Sequence, residues 1–303
     1  MNRATPRPWS GLVLVVAGLL LAQRAAAEHF AFAWPVPATA EVRSTVEKDG
    51  LVSTARYRIE LAAAGDADEL ELSFEDFALL TLNGKDATQP EVAAALGPLA
   101  ALTSALPSMR LSRSGDYRGV RGLNLVLQRV LELLPEDTPS TQRLQLERGL
   151  RSPRMQQVLQ QKSGEIWNVW VGAWNGLDLA AGQQLEARVP LRALGGELEQ
   201  GVTIEHLGAA PGAPGYVRLR MTTLVEGPEL ASLLAGFADA LAASGKLEGG
   251  ISGARSRSVT ELVTRAADLV PRHAVSTTEV TVTDAAGHGF HQRERKEYWF
   301  EWP

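Results

Sequence analysis

Three of the seven tryptophans fall within eight positions, in the run Glu165–Trp174 (EIWNVWVGAW). Trp167, Trp170 and Trp174 are spaced by three and four residues, so on a helix they form one stripe with Val171 beside it. Each indole removes roughly 150–250 Å² from water when buried. A chain with this stripe must therefore build a core around it. The segments before the stripe carry helical periodicity and those after it alternate like strands, which puts it at the seam between two layers.

The strand signals are clear in several places. Thr39–Leu61 reads as a β-hairpin turning at Asp49-Gly50. Its second arm alternates Ala55, Tyr57, Ile59 and Leu61 with polar residues, the pattern of a half-buried antiparallel strand. Leu70, Leu72 and Phe74 continue the alternation, and Asn83-Gly84 marks a further turn. After Gly182 the period of two returns in Leu185, Ala187, Val189 and Leu191, then in Val202, Ile204 and His206, then in Val217–Thr223. The chain closes with Ser276–Thr283, a turn at Ala286-Gly287, and Phe290–Trp302. Tyr298, Trp299, Phe300 and Trp302 make the end of that segment apolar on both faces, which predicts a strand inside a sheet.

Helical signals lie between these groups. Thr88–Glu91 fits a capping box, followed by Val92, Leu96, Leu99, Leu102 and Leu106. Leu123, Leu127, Val130 and Leu134 predict a buried helix. Thr138-Pro139 and Ser152-Pro153 open two more, and Pro228 opens another with Leu230, Leu233, Leu234, Phe237 and Leu241. Ser258–Glu261 fits a second capping box ahead of Leu262, Val263, Ala266 and Leu269. The expected fold is α+β: a curved antiparallel sheet built from hairpins, packed against a segregated helical layer. In domain terms, residues 38–303 form one α+β domain with a mainly helical insertion at about 88–174. A sheet curled around helices would be similar in general shape to the half-barrel carriers of periplasmic lipoproteins, with no motif to support the comparison.

The N-terminus predicts export. Arg3 and Arg7 precede the apolar run Leu12–Ala22, and Ala25-Ala26-Ala27 supplies small residues for cleavage before Glu28, so residues 1–27 read as a signal peptide. The run is shorter than the roughly 18–20 apolar residues of a spanning helix, so no transmembrane anchor is expected after cleavage. Residues 28–37, with Phe30, Phe32 and Trp34 at alternate positions, read as an extended aromatic and proline-bearing strap. The chain carries 30 basic and 35 acidic residues; without Arg3, Arg7 and Arg24 its charge moves from −5 to −8. That balance disfavours nucleic acid as a partner. No cysteine is present, which removes thiol nucleophiles, disulfides and Cys-ligated metals.

Catalytic signatures are missing. There is no Gly-x-Ser-x-Gly, Ser-x-x-Lys or Walker motif. Gly249–Gly253 is a weak phosphate cradle because no strand precedes it. His288 and His291 are the only close histidine pair, and on a strand they would face opposite sides, which argues against a metal. Neither a metal nor a cofactor is expected. Two ligand-binding candidates remain. The Trp167, Trp170 and Trp174 stripe could line an apolar cavity. Arg110, Arg113, Arg118 and Arg121, read as one loop, could meet an anionic group. The sequence therefore points to an exported, non-catalytic envelope protein holding an apolar or amphipathic small molecule or lipid. The alternatives are an assembly factor for another envelope protein and a hydrolase with scattered catalytic residues.

Overall fold

The computed structural model describes residues 27–65, 68–92, 107–132, 139–193, 196–235 and 250–303. Its strands are β1 (Glu28–Phe30), β2 (Ala38–Lys48), β3 (Leu51–Ala63), β4 (Glu69–Leu82), β5 (Lys85–Asp86), β6 (Ser108–Ser112), β7 (Tyr117–Arg121), β8 (Leu177–Leu179), β9 (Gln184–Ala193), β10 (Gly196–Ala209), β11 (Val217–Glu226), β12 (Ile251–Thr264), β13 (Pro271–Asp284) and β14 (Gly289–Glu301). The helices are α1 (Leu123–Glu132), α2 (Ser140–Leu150), α3 (Pro153–Trp167) and α4 (Pro228–Ala235). The signal segment and most of the Val92–Leu106 and Phe237–Leu241 patterns lie outside the described residues.

Twelve strands form one antiparallel sheet in the order β7-β6-β4-β3-β2-β14-β13-β12-β11-β10-β9, with β5 attached to β4. The sheet is open, ending at β7 and β9, and the helical part is small beside it. Almost every neighbour in the sheet is also a neighbour in sequence. The main join is β14 beside β2, which links the two halves of the chain (Val42 opposite Phe300). The final strand lies inside the sheet, as expected, but only the face of Tyr298 and Phe300 is buried; Trp299 on the other face is 49% exposed.

The local chemistry explains the turns. Asp49-Gly50 and Asn83-Gly84 both have positive φ at both positions, the geometry of a two-residue hairpin that Asp, Asn and Gly tolerate. Three expectations are corrected. Ser258–Leu269 is not a helix: Ile251–Thr264 is one long strand, paired on both sides. Ser256, Ser258, Thr260 and Leu262 share a face at period two, and neighbours on each side outweigh a four-residue capping pattern. For the same reason Gly250 and Gly253 open a strand rather than cradle a phosphate. Arg110–Arg121 is not a loop but the β6–β7 hairpin. And α1 is not buried all round: Leu127 is buried while Leu125 is 67% exposed.

The sheet is bent. Phe30 packs edge-to-face on His206 of β10, with centroids 5.4 Å apart. Two residues later, Phe32 lies against Gly115 in the β6–β7 turn: a Cβ added there would come within 2.5 Å of Phe32. Seven strands separate β6 from β10 in the sheet order, which in a flat sheet is about 38 Å at ~4.8 Å per strand. Two residues of strap span only about 7 Å. The halves of the sheet must therefore curl towards each other at this end, and the strap bridges them.

Candidate functional site

The end that the strap bridges is filled by a plug built from three chain segments. The last turn of α3 runs into a π-helical turn, Asn168–Gly172. Trp167, Trp170 and Trp174 all end with no exposed surface. Strand β1 pairs with β8 beside them. Phe30, Phe32 and Trp34 of the strap are buried in the same cluster, together with Leu61, Leu72, Leu111, Leu219, Leu262 and Phe300 of the sheet. Hydrogen bonds fix the parts to one another. The Trp167 indole donates to the Gly115 carbonyl at 2.8 Å, and Trp34 donates to Leu269 at 2.9 Å. Asn175 accepts from the Phe32 amide and donates to Ser114, at 2.9 and 2.6 Å. α3 sits close on β7, because Gly164 leaves room for the Tyr117 ring and the Tyr117 hydroxyl donates to Gln160 at 2.8 Å.

Trp170 differs from its neighbours. It packs edge-to-face on Tyr298 and Phe300, with centroids 5.4 and 5.0 Å away. Its indole N–H has no hydrogen-bond acceptor. With no exposed surface, none of the three indoles touches open space in this state.

Beyond the plug the same face of the sheet continues uncovered by tryptophan. The register gives its rows. The row at the plug is His206, Leu219, Leu262, Ala274, Tyr298, Ser44 and Ala55. The next is Leu185, Ile204, Met221, Thr260, Ser276, Lys296, Val46 and Ser53, and the one after is Ala187, Val202, Thr223, Ser258, Thr278, Glu294, Lys48 and Leu51. The second and third rows are apolar towards β9–β10 and polar in the middle. On the β4 side Phe74, Phe77 and Leu79 restore an apolar wall, with Phe77 stacked on Tyr57. Most of these residues are half-buried, neither core nor free surface. The polar strip is internally bonded: Ser258 to Thr278 at 3.0 Å, Thr260 to Ser276 at 3.3 Å, and Lys296 to Glu294 at 3.2 Å. The result is a bent trough with apolar flanks and a hydroxyl-lined, ion-paired floor. At its far end α4 packs Leu230 on Leu198 and Val225. Beside α4 a groove of about 450 Å³ is lined by Arg188, Leu198, Glu199, Gly201, Leu224, Val225, Glu226 and Glu229.

Two tyrosines at the plug–trough boundary have displaced pKa values. Burial raises Tyr57, the neighbouring Tyr298 adds to this, and a hydrogen bond with Ser44 opposes it. Burial likewise raises Tyr298, helped by the negative charges of Glu294 and Glu165. Because the folded values lie above the unfolded one, both groups contribute stability that is complete below about pH 10 and is lost as pH rises beyond it. The urea midpoint should therefore hold steady from neutral pH to about 10 and fall above that. In the Tyr57→Phe/Tyr298→Phe double variant the alkaline fall should shrink; an unchanged slope would contradict the assignment.

The arginines do not converge on one anion site. Arg110 on β6 reaches Glu69 of the neighbouring β4 at 2.5 Å, and Arg121 on β7 reaches over β6 to Glu71 at 2.7 Å and Glu69 at 3.6 Å. Arg113 lies in the hairpin turn and Arg118 on β7, both exposed. Hydrogen bonds from Ser114 and Ser112 lower the pKa of Asp116, with the Arg118 charge contributing less. Sequence reasoning missed Glu69 and Glu71, whose arginine partners lie 41 and 50 residues away. It also missed the polar floor of the trough, since strand register alone brings those hydroxyls together.

The histidines are distributed. His273 contacts Glu297 at 2.9 Å and stacks on Trp299, His29 contacts Asp178 at 2.8 Å, and His288 lies 3.3 Å from Asp284. His206 is buried, with Nε2 unpartnered and 4.0 Å from Glu28. Among the described residues no group of three or more His, Cys, Asp or Glu is arranged to hold a metal ion. No helix among them is long and apolar enough to cross a membrane.

No protein-family model matches the chain, and no curated protein matches it. Among solved structures it is similar to one described as "lipid–protein interactions in lipovitellin", at 12% identity and a TM-score of 0.44. That similarity covers 92% of this chain and 25% of the other, so the chain spans about a quarter of that protein's length. At this score and identity the likeness assigns neither a family nor a ligand to the chain.

Proposed function

We propose that this is an exported, non-catalytic protein that holds an amphipathic molecule with one or more long apolar chains in the trough between the tryptophan plug and α4. The observation that carries the reading is the row pattern of the inner face. Leu185, Ile204 and Met221 on one flank and Phe74, Phe77 and Leu79 on the other offer apolar surface to chains, while the hydroxyl and ion-pair strip between them suits a polar head. A plain core would not place an ion pair and four hydroxyls at its centre, because buried polar groups add no net stability over well-packed apolar ones. Ile204, Met221, Phe74, Phe77 and Leu79 are half-buried, which fits a surface that a ligand would finish covering.

Native mass spectrometry of protein purified from the cell envelope tests both parts of the reading. The expected spectrum has a mature chain starting at Glu28 and an adduct that extracts into organic solvent. Met221→Glu puts a charge on the apolar flank of the trough and should lower adduct occupancy at least tenfold while the unfolding transition stays cooperative. Full-length cytoplasmic protein would remove the export reading. A bare chain that also fails to respond to fatty acids or phospholipids would remove the ligand reading.

A further inference from the structure

The geometry points to a second copy of this chain as the partner of the β9 edge, pairing antiparallel about Ala187 to join two sheets into one. Among the described residues β9 has a neighbour on one side only. Every residue from Gln184 to Pro190 is exposed, including Leu185 at 38% and Val189 at 37%. This edge carries Glu186, Arg188 and Pro190, the kinds of residue that guard open edges, yet its other face leaves Leu185 and Val189 exposed.

Pro190 fixes the direction of the backbone. β9 pairs with β10 in unbroken register from Gln184 to Ala193, with Pro190 opposite Glu199. A proline in a paired edge strand turns its missing N–H away from the ladder. By alternation, Gln184, Glu186 and Arg188 then direct their N–H and C=O groups to the open side. A strand docked there meets these groups, and Ala187 sits at a non-hydrogen-bonded position.

The side chains select one register. About a two-fold axis at Ala187, Glu186 faces Arg188 of the second copy and Leu185 faces Val189, so charges pair on one side of the sheet and apolar residues on the other. Centring on Arg188 would set arginine against arginine, and centring on Glu186 would set glutamate against glutamate, both destabilising. In the Ala187 register Pro190 falls at the end of the pairing, opposite Gln184, so its missing donor costs one hydrogen bond at each end and leaves the central ladder intact. Arg188 also contacts Glu199 at 3.0 Å, but both side chains are largely exposed, so that pair holds it weakly.

The chain has no cysteine, which makes the test clean. Opposed residues at a non-hydrogen-bonded position lie about 4.5 Å apart at Cα, within disulfide reach. Under mild oxidation Ala187→Cys should convert mostly to a disulfide-linked dimer, while Leu51→Cys, exposed at the start of β3, should not. Light scattering should give twice the chain mass for the wild type. Arg188→Glu should give the single mass with an unchanged far-ultraviolet circular dichroism spectrum, and Glu186→Arg/Arg188→Glu should restore the dimer. A wild type that is monomeric at every concentration would overturn the proposal. So would equal cross-linking at both cysteines, or a dimer indifferent to Arg188→Glu.

Discussion

Removing residues 289–303 should leave a chain with no cooperative unfolding transition. β14 pairs with β13 along one side and β2 along the other, so its loss cuts the sheet into two pieces. It also removes Tyr298 and Phe300, the rings on which Trp170 packs, and Trp302, which packs on Trp34. Each piece would then expose a long edge beside a plug missing one wall. Urea titration followed by tryptophan fluorescence and far-ultraviolet circular dichroism is the measurement. The expected curves are broad and do not coincide, against one sharp transition for the full chain. A truncated protein with a single sharp transition would mean that the two halves fold independently.

Trp170→Ala should cost about 3–5 kcal/mol, through lost burial and the cavity left behind. The unpartnered indole N–H decides where in that range it falls. A buried donor without an acceptor costs about 1–3 kcal/mol in the wild type, and the substitution removes that burden, so the low end is expected. Trp167→Ala should cost more, because it also strands the Gly115 carbonyl that now accepts from Trp167. The ordering Trp167→Ala above Trp170→Ala, read from urea midpoints at constant slope, is the specific outcome. A near-zero cost at Trp170 would mean that its surroundings are loose enough to admit a ligand. The reverse ordering would mean that the Gly115 hydrogen bond contributes little.

Much of the sheet was legible because one face is buried. Ala55, Tyr57, Ile59 and Leu61 alternate with polar residues for that reason, and a one-residue slip would expose them all. β12 was hidden because its inner face is largely Ser and Thr, which fill the trough floor instead of a core, so hydropathy shows no alternation there. β6 and β7 were hidden because Arg110 and Arg121 owe their strand positions to Glu69 and Glu71, a non-local pairing that no window of sequence contains. The plug was legible as a concentration of tryptophan. Its partners were less so, because the strap meets it from about 135 residues upstream. The trough was not legible at all, since it exists only through the register between strands.

The join between β2 and β14 also sets an order of events. Ribosomes release a chain from its N-terminus, and Val42 must wait for Phe300, about 260 residues later, before that ladder can form. Until then the β2 edge stands open, and the meander from β9 to β13 has no neighbour for its last strand. The sheet is therefore joined only when β14 emerges, and whatever handles the chain beforehand must keep two growing half-sheets apart from each other and from those of other chains.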